Sequence, residues 1–485
     1  MRSQSKFLLL IFWLLFATSC SINKQEKKSP NNFQKINLSL LQQNKLKSDE
    51  FLNLINNFNK KSSDLLLKND SWIDGKKTKT EVINILKNKI TLNDCKWNNL
   101  YGNISSLPYA LKLIVPKDSN IFVCGDLHGN FNSLIDILND LKSKKYLSEN
   151  LKFKKNNYLI FLGDYTDHVI RKHIPTIATL MILKINNPKN VFLSAGNHEE
   201  IKITKKGGLG KEIRQKYISK ELELLNSINT FYNLLPSIIY LGYMTSNKNY
   251  PTQIYQLNHG SIDIRYNPQK LLNVSNNKEI CFSEIDLMSK QEIEKYLPQK
   301  VLLKNIESNL NIKDKTFGFR YNHVHIHNLS TLREVSDILP EPLDFKNPET
   351  ITLYSQKMKF LTNFLRKNTP EIFIKIKDTN ELSMSSKLIK DFSTQISTNK
   401  NKIVGLIHGH NHYIPKLINK NKITEPSSGV GIIKEKLDTF PHNFKIITLI
   451  SGQEVPYLLK YKTTYLKLSP PSNDKEKWNI QIINL

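Results

Sequence analysis

The sequence predicts an α/β fold built in layers, and three observations predict it. Short apolar runs, partly β-branched, stop abruptly at Gly, Asp, Asn or His, as residues 121–124 do at Gly125-Asp126-Leu127-His128-Gly129-Asn130. The same grammar recurs at residues 158–162 before Gly163-Asp164-Tyr165-Thr166-Asp167, and at 191–193 before Gly196-Asn197-His198-Glu199. Between these runs the apolar residues change to helical spacing, as with Leu134, Ile135, Ile137, Leu138 and Leu141, so strand, loop and helix alternate. Such alternation makes a largely parallel sheet whose strand ends share one edge, where α/β sheets present polar residues to ligands.

At 485 residues the chain is long enough for at least one large core. Residues 1–20 stand apart from it. Arg2 and Lys6 flank the start of an apolar run at 7–16, and Ala17, Thr18 and Ser19 lead to Cys20. This resembles a bacterial lipoprotein signal, with Ala17 where that signal usually carries a larger aliphatic residue. The resemblance implies lipidation at Cys20 of an exported protein, anchored to a membrane and facing the periplasm or the cell surface. Ordinary secretion and an uncleaved anchor are the alternatives. Residues 21–36 are polar and Lys-rich and read as a tether. Residues 37–115 read as a helical segment, from the spacing of Phe51, Leu52, Ile55 and Phe58 and again of Val82, Ile83, Ile85 and Leu86. The net charge of +27 is spread along the chain with no basic stripe interleaved with aromatics, so no specific nucleic-acid partner is expected. Cys95, Cys124 and Cys281 are widely spaced and form neither a disulfide framework nor a CxxC zinc site.

The main domain is expected over residues 116–470. After the strand at 158–162 comes a helix at 174–185, with Pro175 tolerated in its first turn, and the turn Asn186-Asn187-Pro188 feeds the strand at 191–193. Gly207-Gly208-Leu209-Gly210 lacks the Gly-Lys-Ser/Thr ending of a nucleotide loop and reads as a flexible hinge. A helical run at 222–235 stops at Pro236, residues 238–241 resume as a strand, and 254–257 run into Asn258-His259-Gly260. Residues 270–400 are the least legible stretch and read as an insert, helical around 352–394. The strand grammar returns at 403–407, which lead into His408-Gly409-His410-Asn411-His412. With runs at 445–450 and 465–468, and a C-terminal strand within 471–485, these residues are expected to complete a second sheet.

The strand ends deliver Asp126, His128, Asp164, Asn197, His259, His410 and His412. Carboxylate, imidazole and amide oxygen are the ligand types that a pair of hydrolytic divalent ions takes. Asp126 and His128 are two apart, so in an extended loop both turn to the same side, and His410 with His412 do likewise. His323, His325 and His327 alternate in the same way, and a partly exposed strand is favoured there over a metal ribbon. His173 and His408 read as structural residues or as supports for the ligands.

The motifs GDLHGN at 125–130, GDYTD at 163–167 and AGNHE at 195–199 resemble the GDxHG, GDxVDRG and GNHE motifs of the phosphoprotein phosphatase branch of the calcineurin-like metallophosphoesterase superfamily. Phe231-Tyr232-Asn233-Leu234-Leu235-Pro236 followed by Asn258-His259-Gly260 is similar to the F-x-x-L-P and HGG segment of that branch. Ile447-Thr448-Leu449-Ile450-Ser451 with Tyr457 is similar to its TLFSAPNY region. Together the similarity spans residues 118–262 and 402–470. It implies a two-sheet β-sandwich flanked by helices, the metallophosphoesterase fold, preceded here by a helical segment. It implies a metal-dependent phosphoester hydrolase, in the first place a phosphomonoesterase like the serine/threonine protein phosphatases, acting on a phosphorylated substrate. It also implies two divalent metal ions, manganese first, with iron or zinc as alternatives. Carried over, Asp126 and His128 would bind the first metal, Asp164 would bridge, and Asn197, His259 and His410 would bind the second. The GHxH pair of the wider superfamily would place His412 on the first metal. His198 would be the general acid and Asp167 its orienting partner. A lone His at a strand end is more often a hydrogen-bonded structural residue, but seven candidate ligands behind apolar strands in this order outweigh that reading.

The departures concern the substrate phosphate. His168 and Val169 stand where the family has Arg-Gly, and Ala195 stands where an Arg precedes GNHE. A planar, bidentate phosphate donor is not replaced by His without loss. Besides His168, the candidates for holding the phosphate are Arg171, Arg265 and Arg320. The family's SDP segment has no match, residues 319–323 being nearest. Two alternatives stay open: a nucleotide or dinucleotide polyphosphate hydrolase, and a non-catalytic metal-binding lipoprotein. The intact pair His198 and Asp167 argues against the latter.

Overall fold

The computed structural model describes residues 38–68, 72–73, 109–167, 172–245, 250–296, 320, 323–325, 374–375, 382–410, 417–419, 422–424, 430–435, 444–452, 454–455, 459–460, 462–474 and 476–485. Helix α1 (Leu38–Gln42) belongs to a separate unit ending at Leu46, and the elements that follow belong to the unit from Lys47 to Leu485. Helix α2 (Ser48–Lys68) buries Phe51, Leu54, Ile55 and Phe58, one helical face, with Phe58 meeting Phe231 edge-on at 4.9 Å between ring centres. Then come β1 (Trp72–Ile73), β2 (Tyr109–Val115), β3 (Asn120–Cys124), α3 (Phe131–Ser143), β4 (Asn157–Phe161), α4 (His173–Asn186) and β5 (Val191–Leu193). Next are α5 (Ile201–Lys206), α6 (Gly208–Tyr217), α7 (Glu221–Asn233), β6 (Ile238–Tyr243), β7 (Thr252–Asn258) and β8 (Ile280–Glu284). Helix α8 (Ser386–Gln395) precedes β9 (Asn401–His408), β10 (Val430–Glu435), β11 (Phe444–Leu449), β12 (Thr464–Ser469) and β13 (Asn479–Asn484).

Two sheets carry the fold, in strand orders β13-β12-β3-β4-β5 and β1-β8-β2-β6-β7-β9-β11-β10. Along β2 the side chains alternate between two cores, as the pleat demands. Leu111, Leu113 and Val115 join Ile121, Val123, Ile160, Leu257, Ile407 and Leu466 between the sheets. Ala110 and Ile114 face the other way, where Leu388, Ile389 and Phe392 of α8 cover the larger sheet. Each fully buried Leu or Ile contributes roughly 1.5–3 kcal/mol relative to exposure. Lys112 shares that second face. Its ammonium donates to Leu272 O at 3.1 Å and Val274 O at 2.7 Å, and burial pulls its pKa down to about 8.

Register brings the loops together. Strands β3, β4 and β5 run parallel, with Cys124 opposite Phe161 and Phe161 opposite Leu193, so Asp126, Asp164 and Asn197 leave from one edge. Strands β7 and β9 are also parallel, with His408 opposite Asn258, so the His259 and His410 loops leave side by side. A bridge between Asp126 and Ile450 ties the same edges of the two sheets to each other.

Several expectations are corrected. The sheets are mixed rather than largely parallel, because β12 pairs antiparallel with β3, β13 with β12, β2 with β8 and β6 with β7. Strands β12 and β13, expected in the second sheet, extend the first. Residues 109–115, placed in the helical segment, are a strand of the larger sheet. Of the stretch 352–394, residues 382–385 are a strand and the described helix starts at Ser386. In Gly207-Gly208-Leu209-Gly210, expected as a flexible hinge, Gly207 separates α5 from α6 and Gly208 begins α6. His323–His325 is a strand, as expected, and runs parallel to residues 383–385. Cys20, the tether, the 82–86 run, Cys95 and His327 lie outside the described residues. Among the described residues no helix is long and apolar enough to cross a membrane.

Candidate metal centre

The five loops are fastened to one another before any ligand is considered. Leu127 N–H and His128 N–H both donate to Asp164 O at 3.0 Å, and Gly129 N–H donates to Tyr165 O at 2.8 Å, which locks the first loop to the second. Glu199 locks the second to the third: its buried carboxylate accepts from Asp164 N–H at 2.7 Å, Tyr165 N–H at 3.0 Å and Gly196 N–H at 2.8 Å. His198 N–H donates to Asp164 Oδ1 at 3.0 Å. From the larger sheet, His410 N–H reaches Asp126 Oδ1 at 3.2 Å and Oδ2 at 3.1 Å, while Ser451 and Gly452 N–H hold Asp126 O. Gly409 permits this approach, since a Cβ there would stand 2.0 Å from Asp126 Oδ1.

The backbone is strained where the ligands sit. Eight described non-glycine residues have positive φ, and four of them are His128 (46°), Asp164 (52°), Asp167 (76°) and His410 (63°). Each such residue costs on the order of 1–3 kcal/mol and persists only where its surroundings fix it. The hydrogen bonds just described do so for His128, Asp164 and His410.

The side chains converge in two groups that share one carboxylate. His128, Asp164 and His198 form one, and Asp164, His259 and His410 the other, with ligand atoms within 4.8 Å of one another in each. Asp164 Oδ2 lies 3.7 Å from His128 Nε2, 3.8 Å from His198 Nε2 and 3.1 Å from His259 Nε2. Asp126 lies between the groups, Oδ2 at 3.8 Å from His128 Nε2 and Oδ1 at 3.6 Å from His259 Nδ1. His259 Nε2 is 2.9 Å from Asn197 Oδ1 and 3.2 Å from His410 Nδ1. The Asn197 carboxamide tests whether a cation fits. Its inward atom lies 2.9 to 3.2 Å from His259 Nε2, His410 Nδ1 and both Asp164 oxygens. Turned nitrogen-inward, the amide satisfies those acceptors by hydrogen bonds; turned oxygen-inward, the set is lone pairs alone, the donor set of a divalent ion. Oxygen and nitrogen donors in this mixture suit a borderline divalent cation, so the residues fit the group.

Charge follows from the packing. Burial raises the Asp164 carboxyl, but His259, His198 and His128 outweigh it and hold the group well below the usual carboxylate range. Burial lowers the His198 imidazole, yet Asp164 and Asp167 push it up to about 9. His259 is likewise raised by Asp164 and Asp126 against burial. Burial and the Asp164 charge push Glu199 up to about 7 against its three N–H bonds. A divalent ion competes with these imidazole protons for the same lone pairs.

An α/β sandwich whose strand ends gather overlapping Asp, His and Asn ligand groups, with a second His–Asp pair alongside, defines a class of metal-dependent hydrolases. The chain belongs to the calcineurin-like phosphoesterase family, whose pattern matches residues 119–413, more than half of the 485. It is similar to serine/threonine-protein phosphatase T of Trypanosoma brucei brucei, 27% identical over 186 residues, covering 37% of this chain and 35% of the relative. It is similar to serine/threonine-protein phosphatase SIT4 of Candida albicans, 32% identical over 132 residues, covering 27% of this chain and 40% of the relative. The chain thus spans less than half the length of these curated relatives. Among solved structures it is similar to a Saccharomyces cerevisiae protein serine/threonine phosphatase with similarity to human PP5, at 12% identity and a TM-score of 0.42, covering 88% of this chain and 90% of that one. Divalent metals are the cofactors of the family.

Asp126, His128, Asp164, Asn197, His198, His259 and His410 are brought together. Asp167 stands behind His198, its Oδ2 at 3.9 Å from Nδ1. His412, His168 and Arg171 lie outside the described residues. Arg265 is buried and committed to Asp263, donating from Nε at 2.9 Å and Nη2 at 2.8 Å, so its guanidinium already has a carboxylate where a phosphate was expected. Arg320 is buried as well. His408 supports β9 through Thr448, 3.0 Å from Nε2 to Oγ1. Two contributors were not legible as such: Glu199, hidden beside the more conspicuous His198, and Leu209, whose N–H donates to Asp167 Oδ1 at 2.9 Å.

Proposed function

We propose that the protein is a phosphomonoesterase that uses two divalent metal ions, manganese first, and acts on a phosphorylated substrate as serine/threonine phosphatases do. The observation that carries this reading is the sharing of Asp164 by two groups of candidate ligands, one of which includes His198 with Asp167 behind it. Asp126, His128 and Asp164 would hold one ion, joined by His412, and Asp164, Asn197, His259 and His410 the other. Bound there, the ions supply Lewis acidity and activated water. The chain's own residues do the rest. His198 keeps its Nδ1 toward Asp167 and presents Nε2 to the reacting centre; as the ester P–O bond breaks and water oxygen bonds to phosphorus, Nε2 gives its proton to the leaving oxygen.

Purified protein lacking residues 1–20, assayed with manganese on p-nitrophenyl phosphate, its bis ester, a phosphopeptide set and nucleotide and dinucleotide polyphosphates, tests the proposal. Turnover of the monoester and phosphopeptides is expected. Preference for a nucleotide or dinucleotide polyphosphate, which the missing arginines at 168 and 195 would favour, replaces the substrate class. No turnover with two ions bound leaves a binding lipoprotein.

For residues 1–20 we propose export and a lipid anchor at Cys20, supported by the charged start, the apolar run and the small residues before that cysteine. Globomycin-sensitive processing and fatty-acid labelling are expected, and an unlabelled soluble product would refute the anchor.

A further inference from the structure

We propose that His173 is a positioning residue, a wedge that sets Asp167, and through it His198, against the loop of His128. The side chain of Lys172 does not cap the start of α4. Instead Glu212 of α6 accepts from His173 N–H at 2.9 Å and Ile174 N–H at 3.1 Å, which fastens α4 to α6. The His173 ring is fully buried and takes the Asp167 N–H on Nδ1 at 3.3 Å. It fills the room that two glycines leave. A Cβ on Gly129, the residue after His128, would stand 2.3 Å from Nδ1, and one on Gly208 would stand 2.2 Å from Nε2.

One imidazole thus touches the turn behind a metal-ligand candidate, the backbone of Asp167 and the first turn of α6. That same turn holds the Asp167 carboxylate: Leu209 N–H donates to Oδ1 at 2.9 Å, and a Cβ on Gly207 would come within 2.4 Å of that oxygen. With backbone and Oδ1 both fixed, Oδ2 is directed at His198 Nδ1. Asp167 has a φ of 76°, a conformation that needs such restraint. Bulk alone does not suffice, because a buried N–H requires an acceptor and Nδ1 is the one supplied.

The inference rests on the hydrolase reading and deepens it. The full, metal-loaded chain and its His173→Leu and His173→Asn variants are compared on phenyl phosphate, whose leaving oxygen needs a proton, and p-nitrophenyl phosphate, whose leaving oxygen needs it far less. Metal content is measured by mass spectrometry. His173→Leu is expected to lose kcat ~10- to 30-fold on phenyl phosphate and less than about 3-fold on the nitro ester, with KM and metal content unchanged. His173→Asn, which keeps an acceptor, is expected to stay within about 3-fold of wild type on both. Equal losses on the two esters, loss of metal, or an Asn variant that matches Leu would overturn the proposal. Should the Leu variant not fold, the Asn variant decides: an altered ratio between the esters overturns it, and an unaltered one supports it. Wild-type protein inactive on both esters removes the hydrolase reading and this inference together; active wild type with an unchanged ratio in His173→Leu removes only the inference.

Discussion

Replacing Asp164 by Asn removes the one carboxylate that both ligand groups share while keeping its shape. The amide oxygen still accepts from His198 N–H, so the loop between β5 and α5 keeps its anchor. What is lost is charge. Three imidazoles lie 3.1 to 3.8 Å from Asp164 Oδ2. Unit charges about 4 Å apart interact by roughly 4 kcal/mol at an effective dielectric near 20. Removing one partner of a buried pair costs about 3–5 kcal/mol, and a divalent ion feels the missing charge at least as strongly. Affinity for the ions should therefore fall by roughly two to four orders of magnitude. Calorimetric titration of metal-stripped Asp164→Asn with manganese measures this, with metal content after dialysis as a second readout and thermal unfolding as the check on folding. A folded variant that binds two ions within about 3-fold of the wild-type affinity would refute Asp164 as the shared ligand.

Further outcomes follow from the same contacts. Gly409→Ala places a Cβ 2.0 Å from Asp126 Oδ1 and is expected to lower metal affinity at least ~10-fold in a folded protein; unchanged affinity would show that Asp126 does not need that position. Glu199→Ala removes the acceptor of three backbone N–H groups and should lower stability by about 2–4 kcal/mol in denaturant unfolding, whereas a change under ~0.5 kcal/mol would show the loops to be held by other means. In the metal-free protein the carboxylates lift His198 from 6.5 to about 9 against burial. A raised folded pKa gives stability that is complete below about 6.5 and lost as pH rises through about 9, roughly 3 kcal/mol in full. Thermal unfolding of stripped protein should accordingly fall between pH 6.5 and 10, and His198→Asn should flatten that fall; an identical pH dependence in the variant would contradict the assignment.

The site was more legible than the sheets that carry it. Residues 121–124, 158–162 and 254–257 are largely apolar runs that stop at Gly or Asn before an Asp or His, which is how a buried strand reads in sequence. Register then followed from the need of each run to bury itself. Strand β2 escaped because Lys112 interrupts it. The lysine is buried, yet its amine reaches two backbone carbonyls, a long-range solution that no local pattern announces. Strands β12 and β13 were visible as strands but not as members of the sheet of β3, because pairing is decided by the distant sheet edge on which their apolar faces fit. The contacts of the glycines at 207 and 208 were hidden for a related reason. Their lack of side chains serves close approach to Asp167 and His173, and a sequence shows the missing Cβ without showing what fills its place. The arginines were the weakest point, since Arg265 has an acidic partner two residues away that the hydrophobic pattern did not weigh.

Anomalous diffraction at the manganese edge, from crystals soaked in that ion, tests the central claim most directly. Two peaks are expected, one on each side of the Asp164 carboxylate, the first contacting His128 and the second Asn197, His259 and His410. A single peak, or peaks that leave Asp164 uncontacted, would contradict a shared two-ion centre.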